Sequence, residues 1–259
     1  MHTAPRRAVT GAALAAAAAL LLTACVGSAD GVRPSRADDA APPATVQPKA
    51  GRAGRDAPVP EPAALPGVGP QTLAHVPRNA QQVVLVTGAG RNATTDQVTL
   101  FRRDPVAGWV AAGPAWPAHN AAHGWTDEHH TGDLRSPIGV YTLTDAGGRL
   151  ADPGTRLTYD HAPIGFTTHG TGVDGESLRG AFDYVIAINY NRKTGMSPRD
   201  WTRPLGQSRG GGIWLHVDHG GPTEGCVSLP AAAMRTLLRT LDPSLHPVVV
   251  MGDAASLAR

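Results

Sequence analysis

Short runs of β-branched and aromatic residues, each closed by Gly or Pro, recur from Gln82 to Met251 and point to a mainly β fold. They fall at residues 82–87, 97–101, 109–110, 139–143, 182–190, 212–217 and 247–251. Turn signals separate them: Gly88, Asp104-Pro105 with Gly108, and Gly147-Gly148. Strands of this length and spacing close a sandwich or a barrel. One helix interrupts the pattern. Met234, Leu237, Leu238 and Leu241 fall at i, i+3, i+4 and i+7, a single apolar stripe. Pro230 suits its first turn, and Pro243 lies just past its end. The reading gives one domain over 74–253 with one or two short helices.

The first 73 residues read differently. Arg6 and Arg7 precede an apolar Ala/Leu stretch that ends in Leu22-Thr23-Ala24-Cys25. A positive start, a short apolar run and small residues before a cut describe a secretory signal peptide over 1–24. The run is shorter than the roughly 20 apolar residues of a spanning helix. The small pair before Cys25 resembles a bacterial lipobox, which implies a lipid on Cys25 after cleavage. That places the protein on the outer face of the cell membrane, with the membrane itself as one partner. Residues 25–73 carry frequent Pro, Ala and Gly without apolar periodicity, so they read as a disordered tether. A tether of ~45 residues reaches roughly 40 Å on average, toward a cell wall.

Charge removes one class of function. Arg6 and Arg7 are the only charged residues in 1–24, so the processed chain balances 21 basic against 21 acidic residues. No basic field remains for nucleic acid. Cysteine usage is more telling. The chain has two, Cys25 and Cys226. With Cys25 lipidated, Cys226 has no intramolecular partner in an oxidising compartment. Count alone does not separate a reactive thiol from an inert core Cys.

The stretch from Gly211 to Pro230 supplies context. An apolar strand delivers His216 near its end, a Gly/Pro turn follows, and Gly225 precedes Cys226. A free thiol with a pKa of about 8.5 is only a few per cent thiolate at neutral pH. A His in hydrogen-bond reach can take that proton and return it to a leaving amine. Gly225 lets a substrate approach the backbone closely. The N–H groups of Gly225 and Cys226 then suit a developing oxyanion. Cys226 is thus the candidate nucleophile, on a strand-to-helix connection, and His216 the candidate base.

This stretch resembles the L,D-transpeptidase catalytic domain (YkuD type) of bacterial cell-wall enzymes. That family places a His at a strand end, then a loop, then Ser/Thr-His-Gly-Cys. His216, Thr223, Gly225 and Cys226 match it. Upstream, Arg135-Ser136-Pro137-Ile138-Gly139-Val140-Tyr141 is similar to the family's Arg-Thr-Pro-x-Gly-x-Phe/Tyr strand. Residues 184–192 and Asp242-Pro243 resemble an exported actinobacterial branch. The resemblance implies an L,D-transpeptidase-like β-sandwich or barrel, with a short helix after the catalytic Cys. It also implies peptidoglycan stem peptides as partner and substrate. The donor peptide loses its terminal D-alanine to form an acyl-enzyme, and a neighbouring stem amine resolves it. No cofactor is implied. Two departures stand out: Glu224 occupies the usual His position, and the span from His216 to Cys226 is shorter. His216 alone can serve as base, so a backbone role at position 224 tolerates Glu.

Several other residues have two readings each. His219 is a substrate contact or second base, or simply a loop His. Asn189 and Tyr190 line the groove, or they only close their strand. Thr223 is a candidate substrate contact through its place in the motif. Asp218 orients His216 or is a solvated loop acid. His119, His123, His129 and His130 crowd one loop, but Pro117 and Gly124 deny the first two a helical spacing. A substrate-side loop is expected there and no metal. Thr168-His169-Gly170 is followed by Thr171 and is read as a decoy. Residues 151–180 form a long loop, of the kind that serves as a lid or is merely mobile. Four rivals to the transpeptidase reading remain, a zinc peptidase being the most distant. One is an L,D-carboxypeptidase, and one is a non-catalytic peptidoglycan-binding lipoprotein. A papain-like amidase is disfavoured because there Cys precedes His.

Overall fold

A computed structural model describes residues 64–259. The export signal, Cys25 and the tether up to residue 63 lie outside the described residues.

Two strands form the spine because both their faces are buried. β1 (Gln82–Gly88) runs parallel to β12 (Val248–Asp253), with Val84 opposite Val249 and Val86 opposite Met251. These four face the main core. The alternate residues Val83, Leu85, Val248 and Val250 face a second cluster with Phe101, Trp109 and Leu257. Burial on both faces is why these segments read as unbroken apolar runs rather than alternating ones.

The other strands close a ring. They are β2 (Thr95–Asp104), β4 (Trp116–His119), β7 (Gly139–Gly148), β9 (Val185–Ile188), β10 (Trp214–Val217) and β11 (Val227–Leu229). The hydrogen-bonded order is β1-β12-β7-β9-β10-β11-β4-β2, and β2 pairs back onto β1. The fold is therefore a closed barrel, which removes the free edges an open sheet would expose. β3 (Gly108–Ala111) extends from β2, and β8 (Thr158–His161) lies parallel to β7. β5 (Trp125–Thr126) and β6 (Ser136–Pro137) make a small parallel pair of their own. Helix α2 (Ala231–Thr240) buries Ala233, Met234, Leu237 and Leu238 in the main core.

Four expectations need adjustment. Packing starts at Leu65 rather than at Ala74. Leu65 is buried in the second cluster, Val68 and Leu73 pack against it, and α1 (Pro70–Ala74) lies in this segment. With α3 (Ala254–Leu257), the described residues hold three short α-helices rather than one or two. The strand expected over 182–190 shortens at both ends to β9, and beyond it Asn191 takes φ +41°. Finally, β11 stands between Cys226 and α2. The candidate nucleophile thus sits at a loop-to-strand entry, not on a strand-to-helix connection.

One core acid has a measurable consequence. Asp96 on β2 is buried, and neither carboxylate oxygen has a hydrogen-bond partner in the structure. Burial pushes its pKa up to about 8, against a smaller opposing pull from the Trp125 indole. The folded state holds this proton between pH 3.8 and about 8, where the unfolded state has released it. Stability from this group is full below the lower value and is lost as pH rises through the upper one. Asp96→Asn is therefore expected to gain stability over wild type progressively from pH 4 to 8. The gain in urea unfolding should be on the order of 1–3 kcal/mol at pH 8.

Candidate active site

β10 and β11 run parallel and in register, with Leu215 opposite Val227 and His216 opposite Ser228. Leu215, Val227 and Leu229 point into the main core. Period-two alternation then sends Trp214, His216 and Cys226 to the opposite face. All three line a cavity of about 850 Å³.

Cys226 keeps part of its surface in this cavity and has no disulfide partner among the described residues. Its Sγ accepts a hydrogen bond from the Trp214 N–H at 3.3 Å and donates to the Gly212 carbonyl at 3.6 Å. Burial pushes the thiol up to about 12. The Trp214 N–H works the other way, and Glu224 adds to the rise. The resting sulfur is therefore a thiol.

His216 is buried. Its Nδ1 lies 2.9 Å from the Val217 carbonyl. A carbonyl only accepts, so Nδ1 carries the proton and Nε2 is left with a free lone pair. Burial pushes the imidazole down to about 4. The Val217 carbonyl opposes this, and His219 adds to it. The ring packs edge-on against Phe182 and stacks on His219, centroids 5.6 Å apart and planes 10° off parallel. Thiol and imidazole are thus both neutral at pH 7, on one face of adjacent strands. The sulfur's own hydrogen bonds go to Gly212 and Trp214 rather than to His216.

The loop before Cys226 is held from behind. Thr223 Oγ1 donates to the Cys226 carbonyl at 2.7 Å and accepts from the Gly225 N–H at 3.2 Å. Ser136 Oγ donates to the same carbonyl at 3.3 Å. This contact explains the upstream Arg-Ser-Pro segment: it packs behind the nucleophile. Thr223 is buried, so its hydroxyl acts as a pin. The Gly225 N–H is engaged by it, while none of these bonds uses the Cys226 N–H. Thr223→Val is expected to cost about 1–3 kcal/mol in urea unfolding, because buried partners lose their bonds. Carbapenem acylation at saturation should slow with little change in the half-saturating concentration, and Thr223→Ser should restore it.

Other expected site residues separate. His219 lines the cavity with its side chain buried, and its Nδ1 is 2.9 Å from Glu176 Oε1. Neither atom is in a hydrogen bond, so this is a close approach of the two side chains only. Asn189 and Tyr190 do not reach the cavity. Asn189 Nδ2 donates to Thr142 and Thr144 on β7 at 2.7 and 2.9 Å. The Tyr190 hydroxyl donates to the Arg209 carbonyl at 2.8 Å, from within the core. Both close the strand and brace a wall. Asp218 binds His119 and Ser228, each at 2.9 Å, and does not orient His216. Of the four clustered histidines only His129 lines the cavity, behind Gly225 and Gly210. Among the described residues, no three His, Cys, Asp or Glu side chains converge as metal ligands.

Three features escaped the sequence reading. The long loop before Ala181 bends back at a Thr171–Ser177 bridge, and its Thr171, Gly172 and Val173 wall the cavity. Glu176 on this turn is what meets His219. The 191–212 segment also lines the cavity, through Arg199, Trp201 and Arg203. The floor is Gly210-Gly211-Gly212, with φ of +64°, +138° and +72°. A Cβ on Gly210 would meet His129 Nε2 at 2.6 Å. That Gly run was the one signal in the sequence for the floor.

With the barrel and its cavity described, the chain can be set beside known proteins. No curated protein matches the chain. Among solved structures, the chain is similar to the helical cell shape determining protein Pgp2 from Campylobacter jejuni. Identity is 16% and the TM-score 0.34, over 66% of this chain and 46% of that one. The chain thus spans under half of that protein's length. The model of the L,D-transpeptidase catalytic domain (YkuD) matches residues 81–250, which hold the cavity lining and every barrel strand except the second half of β12. On that match the chain belongs to the YkuD family of L,D-transpeptidase catalytic domains.

Proposed function

We propose that this protein is a peptidoglycan L,D-transpeptidase that acts through Cys226 and His216. The observation that carries the reading is their shared placement. The sulfur and a neutral imidazole with Nε2 free face one cavity from adjacent strands.

The chemistry follows from those groups. His216 Nε2 takes the thiol proton as Sγ attacks the carbonyl before the terminal D-alanine. The oxyanion forms against the Cys226 N–H, the donor that Thr223 leaves unused. Collapse breaks the C–N bond, and His216 returns its proton to the departing amine. A stem-peptide amine then attacks the thioester, gives its proton to His216, and expels the sulfur, to which His216 passes that proton to restore the thiol. Elevation of the thiol to about 12 means that the thiolate forms only as substrate arrives. Alkylation of Cys226 by iodoacetamide should therefore keep rising with pH beyond 9, without a plateau near neutrality.

An exported lipoprotein belongs to the same proposal. The lipid on Cys25 holds the protein at the membrane, and the tether carries the barrel to the wall. Labelled palmitate should enter the wild type and not Cys25→Ala.

The deciding experiment incubates the protein with a carbapenem and reads intact mass, wild type against Cys226→Ala. An adduct on wild type alone supports the nucleophile. Its absence on a folded protein overturns the enzyme reading in favour of a non-catalytic wall-binding lipoprotein. Tetrapeptide muropeptides then separate the two enzyme outcomes. A 3→3 dimer marks transfer, whereas released D-alanine without dimer marks an L,D-carboxypeptidase.

A further inference from the structure

Two arginines, Arg199 and Arg203, line the cavity, and their charges are handled differently. Arg199 is paired with Asp160 at 3.1 Å and lies over the Phe166 ring. Arg203 makes no ion pair within 4.0 Å among the described residues. Its Nη1 donates to the Asp200 and Thr202 carbonyls at 2.9 and 3.1 Å, which leaves Nε and Nη2 unused by these bonds. The nearby Asp200 carboxylate accepts from the Thr202 N–H instead. Burial disfavours the Arg203 charge, with Asp200 only partly offsetting it. A partly desolvated guanidinium with open donors is a site for a planar anion.

Its position ties it to the thiol. The guanidinium rests on the glycine floor so closely that a Cβ on Gly211 would meet Nε at 2.4 Å, and one on Gly212 would meet Nη2 at 3.4 Å. The Gly212 carbonyl is the acceptor for Cys226 Sγ. One residue therefore bridges the cation and the nucleophile. On its other side Arg203 lies over the Trp201 ring, Cζ 5.3 Å from the centroid, and Trp201 is 79% exposed. Among the described residues, Glu224 is the one carboxylate in the cavity lining, and it is exposed close to Cys226 in the chain.

We propose that Arg203, on the Gly211-Gly212 floor and beside Trp201, is a carboxylate subsite that reads the free C-terminus of the peptide being cleaved. This rests on the transpeptidase reading. When the last residue of a peptide is the leaving group, its carboxylate lies one residue beyond the attacked carbonyl. A guanidinium packed on Gly211 and Gly212, the latter holding the sulfur, is a neighbour of that position. The subsite selects peptides that end at the leaving residue over longer chains or amidated ends. Its contact persists as the C–N bond breaks, so it also steadies the departing amino acid.

The test uses the full-length protein in detergent and two probes of Cys226 alike in size. Iodoacetate is anionic and iodoacetamide neutral. The ratio of their rates at Cys226, read by peptide mass, cancels the thiolate fraction. The ratio is expected to fall about 5- to 30-fold in Arg203→Gln, to recover in large part in Arg203→Lys, and to shrink in wild type at high salt. Iodoacetamide serves as the internal check that the variants fold. A tetrapeptide stem ending in free D-alanine is then compared with its C-terminal amide. Wild type should favour the acid at least about tenfold, and Arg203→Gln should bring acid cleavage down toward the amide's rate. Equal cleavage of acid and amide by wild type overturns the subsite while leaving the transpeptidase reading intact. If neither peptide is cleaved, the transpeptidase reading fails and the alkylation ratio alone decides. A fall in Arg203→Gln then upholds a carboxylate subsite, and an unchanged ratio overturns it.

Discussion

His216→Gln is expected to lower the acylation rate by roughly a hundred- to ten-thousand-fold, the range for losing a general base. Gln can still donate to the Val217 carbonyl that now holds Nδ1, so the loop geometry should survive. It has no lone pair able to take a thiol proton at neutral pH. With the thiol pushed up to about 12, no thiolate reserve makes up for the missing base. The stopped-flow carbapenem rate measures this, and full acylation in the variant would remove His216 from the mechanism. The pH dependence adds a second signature. The folded imidazole titrates at about 4 and the unfolded one at 6.5. Between these values the unfolded chain binds a proton that the folded one refuses. Stability from this group is therefore full above 6.5 and is lost as pH falls toward 4. The loss is on the order of 3 kcal/mol for a group this buried. His216→Gln removes that linkage, so its urea midpoint should fall less than that of wild type between pH 7 and 4.5.

How much of this was legible in the chain depends on how local each signal is. β1, β12 and β10 showed as apolar runs because their residues are buried on one or both faces, whatever their partners. Helix α2 showed through its 3.6-residue stripe. The Cys226–His216 pair was legible through strand, turn and Gly-Cys order, and Thr223 was singled out beside it. Alternation could not say which face Asn189 and Tyr190 take, because a period of two is blind to which side holds the cavity. The pin role of Thr223 was hidden because its partners are backbone groups. β11 is three residues long and offered no period at all. Barrel closure between β2 and β1, the Glu176–His219 contact and the approach of Arg203 to Gly211 are pairings of distant segments. No local pattern encodes them.

The largest loss of stability is expected from Arg192→Ala. Arg192 and Asp145 are each 2% exposed and meet at 2.8 Å through Nη1 and Oδ2. Arg192 Nη2 donates to the Met196 carbonyl at 2.6 Å. Asp145 Oδ2 also accepts from the Gly195 N–H at 3.0 Å and the Thr144 hydroxyl at 2.6 Å. The pair joins the end of the β9 turn to β7 and fixes the first residues of the 191–212 segment. A carboxylate left in this setting without its cation costs about 3–5 kcal/mol. A well-packed apolar pair is far less damaging, since both desolvation penalties disappear with both charges. Arg192→Met with Asp145→Leu should thus recover much of what either single change loses, and a double-mutant cycle in urea isolates that coupling. Function should not recover in step. The segment anchored here ends in the Gly210–Gly212 floor, whose last carbonyl holds the Cys226 thiol. With the hydrogen bonds from Arg192 to the 196–197 backbone gone, that floor loses its far anchor even when the core is repaired. The double variant is therefore expected to fold near wild-type stability and still acylate slowly. Recovery of both together would show that the floor is positioned without this anchor.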